Sequence, residues 1–586
     1  MNVGIERRPD GVSVRARDYA LWLPSDRPYV QLTDVDGTPW MELFVPSSLH
    51  TTHGLDDTFR LCAPQVDSTA DGARITIGAQ STAWSSKRTV LVCAPDELRV
   101  TVEVEGAGEL TDVHLLGGYY SGDIRHAAGF HQSGAGFRSI CNPEPWGSER
   151  RVLAATESTV LDVLGTSLPG KRHWQFTPPP LCLAVSRSAP PAAPTEVPAG
   201  PWMTIGLGVP CGEHNFTAVH YDAIEGACSL RLAYEGHTRV HGRFTTPSVR
   251  FRFASGDPYD GFADHAASLR AQQLAPPATP RRRPSWWSRP IFSGWGAQCV
   301  LAARAGDAPQ DYATEQHYDG FLAALTAHDL DPGTVVIDDK WQVAYGSWES
   351  ERAKWPDLHA WVARRHAAGQ RVLLWWKAWD PEGQPAAWCV RSRNGDPLGV
   401  DPSHPDYEAA LRTSVDRMLG GRGYDADGLK VDFSARTPSG PGLIRHGSAW
   451  GFELLHRLLE VIYDQAKRTK PEALIMTHTP HPYFADVTDM IRLNDVNTGA
   501  DVVAQMAHRA RVAGAACPQL LIDTDNWPMP DPASFRSYVA EQPELGVPSL
   551  YYATHLDDNG AHVAMTDDDY RLIRTSWERA RSHDEH

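Results

Sequence analysis

Two aspartates close short apolar runs of the same shape. Asp432 ends Gly428-Leu429-Lys430-Val431-Asp432, and Asp495 ends Met490-Ile491-Arg492-Leu493-Asn494-Asp495. Such runs read as buried strands, and here each finishes on a carboxylate. The two acids are about two strand–helix units apart, and a parallel barrel brings the C-terminal end of every strand to one face. Both would then open into one pocket. A facing carboxylate pair can act on a glycosidic bond, one acid attacking C1 and the other protonating the leaving oxygen. Lys430, two residues before Asp432, lies on the same strand face, where an ammonium would keep Asp432 ionised. Asp495 must instead be protonated, which requires a pKa raised by burial or by the neighbouring carboxylate. Arg492 opposes this if it points at Asp495, so its expected target is a substrate hydroxyl or Asp432.

More polar and aromatic side chains fall at the expected ends of neighbouring strands: Asp338, Asp339 and Trp341, then Trp375 and Trp376, then His478, then Asp525. Carboxylates bond directionally to sugar hydroxyls, and an indole covers the apolar C–H face of a sugar. Asp338 and Asp339 alternate in direction, so one of them is expected to reach a sugar directly. Barrel strands bury aromatics, so one of the three tryptophans is expected in the pocket and the others in the core. His478 and His481 lack the spacing of a metal-binding helix or hairpin and are read as structural or substrate-binding. Neither a metal nor a cofactor is expected. There is no Gly-x-Gly-x-x-Gly, P-loop or Gly-x-Ser-x-Gly, so nucleotide and acyl-transfer chemistry have no foothold.

The elements that would position these residues follow from periodicity. Residues 1–255 carry short alternating runs, as at 40–45, 74–77, 98–105 and 153–163, separated by turn signals such as Asp36-Gly37 and Asp71-Gly72. That pattern predicts an antiparallel β-sandwich. A helix over 259–274 and the Pro-rich stretch 275–280 mark residues 256–288 as a linker. From 289 to 586 strands alternate with amphipathic helices, with strands expected at 291–295, 334–338, 371–376, 428–432, 474–477, 490–494, 519–523 and 549–553. A helix at 448–467 would start on Ser448 as its cap, and the last would start at Thr566 with an acidic first turn. Eight strands and eight helices make a (β/α)8 barrel. The fold class is multidomain β plus α/β, and no C-terminal domain is expected beyond the barrel.

A formal charge of −17 over 586 residues argues against a nucleic-acid or anionic-membrane partner. The basic run Arg281-Arg282-Arg283 sits among prolines, as a linker would. Nine cysteines without a Cys-x-x-Cys pair fit reduced, buried thiols. No secretory signal or spanning segment is visible, so a cytoplasmic protein is expected and the sequon at Asn215 carries no glycan.

The motifs resemble those of the α-galactosidase clan, nearest to glycoside hydrolase family 36 and more distantly to families 27 and 31. Lys430-Val431-Asp432 resembles the family's nucleophile motif, and Arg492 with Asp495 resembles its general acid/base. Ile337-Asp338-Asp339-Lys340-Trp341-Gln342, followed by Trp348 and Trp355-Pro356-Asp357-Leu358, resembles the Asp-Asp-Gly-Trp segment whose acids bind the sugar's distal hydroxyls. The resemblance implies a retaining, exo-acting α-glycosidase, α-galactosidase-like, with a carbohydrate substrate and no cofactor. An N-terminal β-sandwich suits the family and often serves subunit contacts, which allows a homo-oligomer. Two departures leave the sugar open: Lys340 replaces a glycine, and Thr477-His478-Thr479-Pro480-His481 replaces the family's Cys- and Gly-rich loop near the 2-hydroxyl. Alternatives are a transglycosidase of the raffinose or stachyose synthase type, an α-glycosidase for another sugar, and a non-catalytic carbohydrate-binding protein.

Overall fold

The computed structural model describes residues 3–584 apart from 123–127, 144–150, 157–158, 164–175, 194 and 280–281. Among the described residues twenty-one strands, from Gly4–Arg8 to Ser248–Ser255, join in one hydrogen-bonded network. It is antiparallel except where Tyr119 and Tyr120 run parallel to Asp57 and Thr58. The strands expected at 40–45, 74–77 and 98–105 are Pro39–Phe44, Gly72–Ser81 and Glu97–Leu115. The run at 153–163 forms two short strands, Val152–Ala154 and Thr159–Val163. Both turn signals join hairpins as expected, with Gly37 taking the positive φ of +87°.

Eight parallel strands follow: β1 (Ile291–Ser293), β2 (Thr334–Ile337), β3 (Arg371–Lys377), β4 (Gly428–Asp432), β5 (Leu474–Thr477), β6 (Met490–Arg492), β7 (Leu521–Asp523) and β8 (Ser549–Leu550). From β1 to β7 each pairs with the next in sequence, and β8 returns to pair with β1. A parallel bridge from Asp523 to Val547 closes the sheet between β7 and β8. Side chains on these strands divide by the period of two. Val335, Ile337, Val372, Leu374 and Ile475 pack in the main core, while Ile291, Val336, Leu373, Leu474, Met476 and Met490 form a separate inner cluster. Trp286 and Trp287, from the turn Ser285–Ser288, join that cluster and plug the end of the barrel where the strands begin.

The helices are unevenly shared among the strands. With α1 assigned to Pro258–Ala271, β1 is followed by both α2 (Trp295–Ala305) and α3 (Glu315–Thr326). One helix follows each of β2, β3 and β4: α4 (Leu358–Ala367), α5 (Pro405–Leu419) and α6 (Gly451–Thr469). Only the turn Pro482–Phe484 lies between β5 and β6. Then come α7 (Val502–Ala516), α8 (Pro532–Leu545) and α9 (Asp567–Asp584). The strict alternation expected from sequence therefore fails after β5. Helix α1, in the segment read as a linker, packs against that turn and α7, and also against the strand Trp202–Gly208. It is capped by the Asp257 carboxylate, and the Tyr259 hydroxyl meets the His508 imidazole at 2.7 Å.

The β-region also starts α6. Ser448 does not cap this helix. Its first amides donate instead to backbone carbonyls of the neighbouring segment, Phe452 N to Phe216 O and Glu453 N to His214 O, at 3.1 and 3.0 Å. The Asn215 side chain accepts from Trp450 N at 3.0 Å. A helix N-terminus leaves amides without intrahelical partners, and here another part of the chain satisfies them. A second clamp comes from the strand Ala227–Thr245, whose ladder skips at residues 234–237. The Glu235 carboxylate in that bulge accepts from Gly440 N and Trp450 Nε1, at 2.9 and 3.1 Å, and so pins the loop between β4 and α6. No helix among the described residues is long and apolar enough to cross a membrane.

Gly451 sits at this junction with φ +57°, and an added Cβ would lie 2.0 Å from Phe216 O. Gly451→Ala is expected to cost about 2 kcal/mol or more, read as a lower urea midpoint at unchanged slope. An unaltered midpoint would show that the two regions do not depend on this contact.

Candidate active site

The inner positions above the apolar cluster carry the polar residues. Two residues beyond Ile291, Val336, Leu373, Met476, Met490 and Leu521 stand Ser293, Asp338, Trp375, His478, Arg492 and Asp523. On β4, Gly428, Lys430 and Asp432 follow the same parity, with Lys430 in register with Trp375 and Asp432 with Lys377. Strand periodicity alone therefore places these side chains in the barrel at one end. Just past the ends of β4, β6 and β7, Phe433, Asn494 and Asp525 hold left-handed backbones with φ of +60°, +66° and +47°. Non-glycine residues rarely adopt that region outside constrained sites.

Arg492 is the hub. It is 2% exposed, and its guanidinium donates to Asp432 Oδ1 at 2.9 Å, Asp495 Oδ1 at 3.2 Å and Asp525 Oδ2 at 2.7 Å. A planar guanidinium is one rigid fork. Two carboxylates on its terminal nitrogens lie within the ~9.5 Å upper limit for paired glycosidase carboxyls. Arg492 thus meets both aspartates, where the sequence reading left a choice between Asp432 and a hydroxyl. The network continues through Tyr551, whose hydroxyl donates to Asp525 Oδ2 at 3.2 Å. Lys430 Nζ donates to Tyr551 Oη at 3.1 Å, Asp338 Oδ2 at 2.7 Å and Ser293 Oγ at 3.4 Å. All three ammonium protons are directed at protein, so Lys430 acts on Asp432 through its field rather than by contact.

Burial raises the pKa of Asp432, but Arg492, Lys430 and the Trp375 indole outweigh it and hold the carboxyl well below the usual range. Trp375 Nε1 donates to Asp432 Oδ2 at 3.1 Å, and Phe433 N to Oδ1 at 2.9 Å. Asp495 moves the other way. Partial burial, followed by the nearby Asp525 and Asp432 charges, overcomes Arg492 and pushes it up to about 6. Burial likewise pushes Asp523 and Asp339 up to about 6. It lowers His478 to about 3, so this imidazole is neutral beside Asp432, with Nε2 2.6 Å from Ser434 Oγ. Asp432 and Asp495 are also the open members of the network, with side chains 22% and 38% exposed against 3% or less for Asp338, Lys430, Arg492 and Asp525.

The remaining expected residues divide clearly. Asp339 is buried, its Oδ2 accepting from Gln310 Nε2 at 3.2 Å, and the Tyr345 hydroxyl also bonds its carboxylate. Trp341 is fully buried and donates to Trp375 O at 2.9 Å, while Trp376 has the outward parity and packs on Trp348 at 4.8 Å. Trp375 is the tryptophan that reaches the carboxylates. His481 lies apart, with Nδ1 accepting from Tyr483 N at 3.1 Å. Among the described residues no group of three or more His, Cys, Asp or Glu is arranged to hold a metal. The sequence reading missed Ser293 and Tyr551. Both could have been found from strand parity, Ser293 two residues after inward-facing Ile291 and Tyr551 two residues after Ser549, the register partner of Ile291.

No family model and no curated protein sequence matches this chain. Solved structures do. A GH31 family sulfoquinovosidase from E. rectale, in complex with an aza-sugar inhibitor, is similar over 99% of this chain and 85% of its own, with TM-score 0.59 and 10% identity. A GH31 α-xylosidase from a soil metagenome, complexed with xylose, covers 100% and 77%, with TM-score 0.53 and 10% identity. The α-galactosidase of Thermus thermophilus, in complex with p-nitrophenyl α-D-galactopyranoside, covers 89% and 95%, with TM-score 0.51 and 15% identity. At these identities the likeness is one of fold. The chain shares the architecture of this clan of glycosidases, the one its motifs resemble.

The Lys430–Asp338 pair is buried on both sides, so removing one partner strands a charge. Lys430→Met is expected to destabilise the fold by about 3–5 kcal/mol, measured by denaturant unfolding. Adding Asp338→Leu should recover part of that loss. Equal loss in the single and double variants would mean that the pair is not coupled.

Proposed function

We propose that the protein is a retaining, exo-acting α-glycosidase, α-galactosidase-like in its sugar, in which Asp432 is the nucleophile and Asp495 the general acid/base. The observation that carries this reading is the pair of open carboxylates on one guanidinium, one held ionised and the other pushed up to about 6. An Asp432 oxygen attacks C1 as the glycosidic C–O bond breaks, and the proton of Asp495 goes to the leaving oxygen. The Asp495 carboxylate then takes a proton from water, whose oxygen attacks C1 and frees Asp432. Two displacements at C1 return the original anomer.

In this reading Asp339 bonds a sugar hydroxyl and Trp375 backs the nucleophile. The cations at the centre of the site, Lys430 and Arg492, are both occupied by carboxylates. Nine free thiols support a reducing, cytoplasmic setting. In this reading the barrel (289–586) follows an N-terminal β-sandwich (1–255) and a connecting segment (256–288).

Azide rescue tests the assignment. With an activated α-glycoside, Asp432→Gly should lose at least ~1,000-fold in kcat and, with azide, yield the β-glycosyl azide. Asp495→Ala should yield the α-azide. Exchanged products would exchange the two roles, and folded variants that azide fails to rescue would remove both from the mechanism.

A further inference from the structure

The large apolar side chains that the barrel leaves exposed, among the described residues, are Val343, Leu398 and Ile444, at 58%, 48% and 45%. All three lie on loops at the active-site end: Val343 after β2, Leu398 after β3 and Ile444 after β4. The loops are fastened to one another. Gly346 N donates to Glu382 O at 2.9 Å, tying the β2 loop to the β3 loop. Arg391 and Ile444 exchange backbone hydrogen bonds of 2.9 Å in each direction, tying the β3 loop to the β4 loop. The three side chains therefore stand on loops fastened one to the next, which together wall this end of the barrel. The inner end of this wall is aromatic: Tyr345 and Phe433 lie 5.9 and 6.1 Å from Trp375, which itself bonds the Asp432 carboxylate.

Scattered exposed apolar residues are ordinary on any surface. Confinement of all those on the barrel to three consecutive, mutually bonded loops around one pocket is not scatter, and exposed apolar groups gathered in this way mark a binding surface. A polar oligosaccharide leaving group would gain little from it. We propose that this wall is the leaving-group subsite and that the natural substrate is a glycoside with an apolar aglycone, an alkyl or aryl group. The inference rests on the glycosidase reading above and adds the chemical class of the group that departs.

The test uses the full-length protein and a series of methyl, butyl, hexyl and octyl α-glycosides of whichever sugar is turned over in a nitrophenyl glycoside panel. kcat/KM should rise with chain length, by up to about fourfold per methylene until the wall is covered. In the combined Val343→Ser, Leu398→Ser, Ile444→Ser variant, the octyl-to-methyl ratio of kcat/KM should fall at least tenfold. Each single substitution should lower it by less, which keeps the result readable if the triple variant folds poorly. A flat series in the wild type overturns the proposal and leaves the glycosidase reading standing. So does an unchanged ratio in variants that instead sediment as a smaller species, since the wall would then be a contact between copies of the chain. No turnover anywhere in the nitrophenyl panel overturns the glycosidase reading, and the subsite with it.

Discussion

One buried guanidinium shared among three carboxylates is the interaction on which the rest of the site depends. Arg492 touches Asp432, Asp495 and Asp525 at once, so a single positive charge must serve several negative ones in a desolvated place. The outcome is unequal. Asp432, backed by Lys430 and an indole N–H, stays ionised, whereas Asp495, facing two other acids, retains its proton to higher pH. Pairs of titratable groups driven apart by their surroundings are how one site supplies both a nucleophile and an acid near neutrality. Asp525 is fully buried in this arrangement. Its Oδ2 is taken by Arg492 and Tyr551 and its Oδ1 by Trp527 N, which makes it a positioning residue.

The barrel delivers this chemistry through a simple rule. Each strand turns alternate side chains inward, so one apolar layer closed by Trp286 and Trp287 supports a polar layer one step higher. The β-region contributes more than a neighbouring fold. It starts α6 by accepting its first amides, and the bulge at Glu235 holds the loop that leads away from Asp432. Placement of Asp432 therefore draws on segments more than two hundred residues apart in sequence.

Much of this was legible in the chain, and what was not has identifiable causes. Strands β4 and β5 lie where their apolar runs put them, because both are buried and a short apolar run marks a buried parallel strand. The Ser448 cap was misread because the true partners of those amides are carbonyls of His214 and Phe216, which no local pattern reveals. The missing helix after β5 was hidden in the same way, since α1 packs in that place from the far side of the Pro-rich stretch. Trp341, Trp375 and Trp376 are alike as residue types, and only strand parity and the register with β4 separate the one beside Asp432 from the two in the core. The aim of Arg492 could not be read because three acids compete for it, and their distances are set by the closure of the barrel.

Infrared difference spectroscopy of the protonated carboxyl stretch, comparing the wild type with Asp495→Asn between pH 4 and 8, addresses the unequal protonation directly. The account predicts that, of the carboxyl bands that disappear with a midpoint near pH 6, one is absent from the variant. A midpoint close to the ~3.9 of an unperturbed aspartic acid would mean that the shared guanidinium does not divide the two acids, and the central claim would fail.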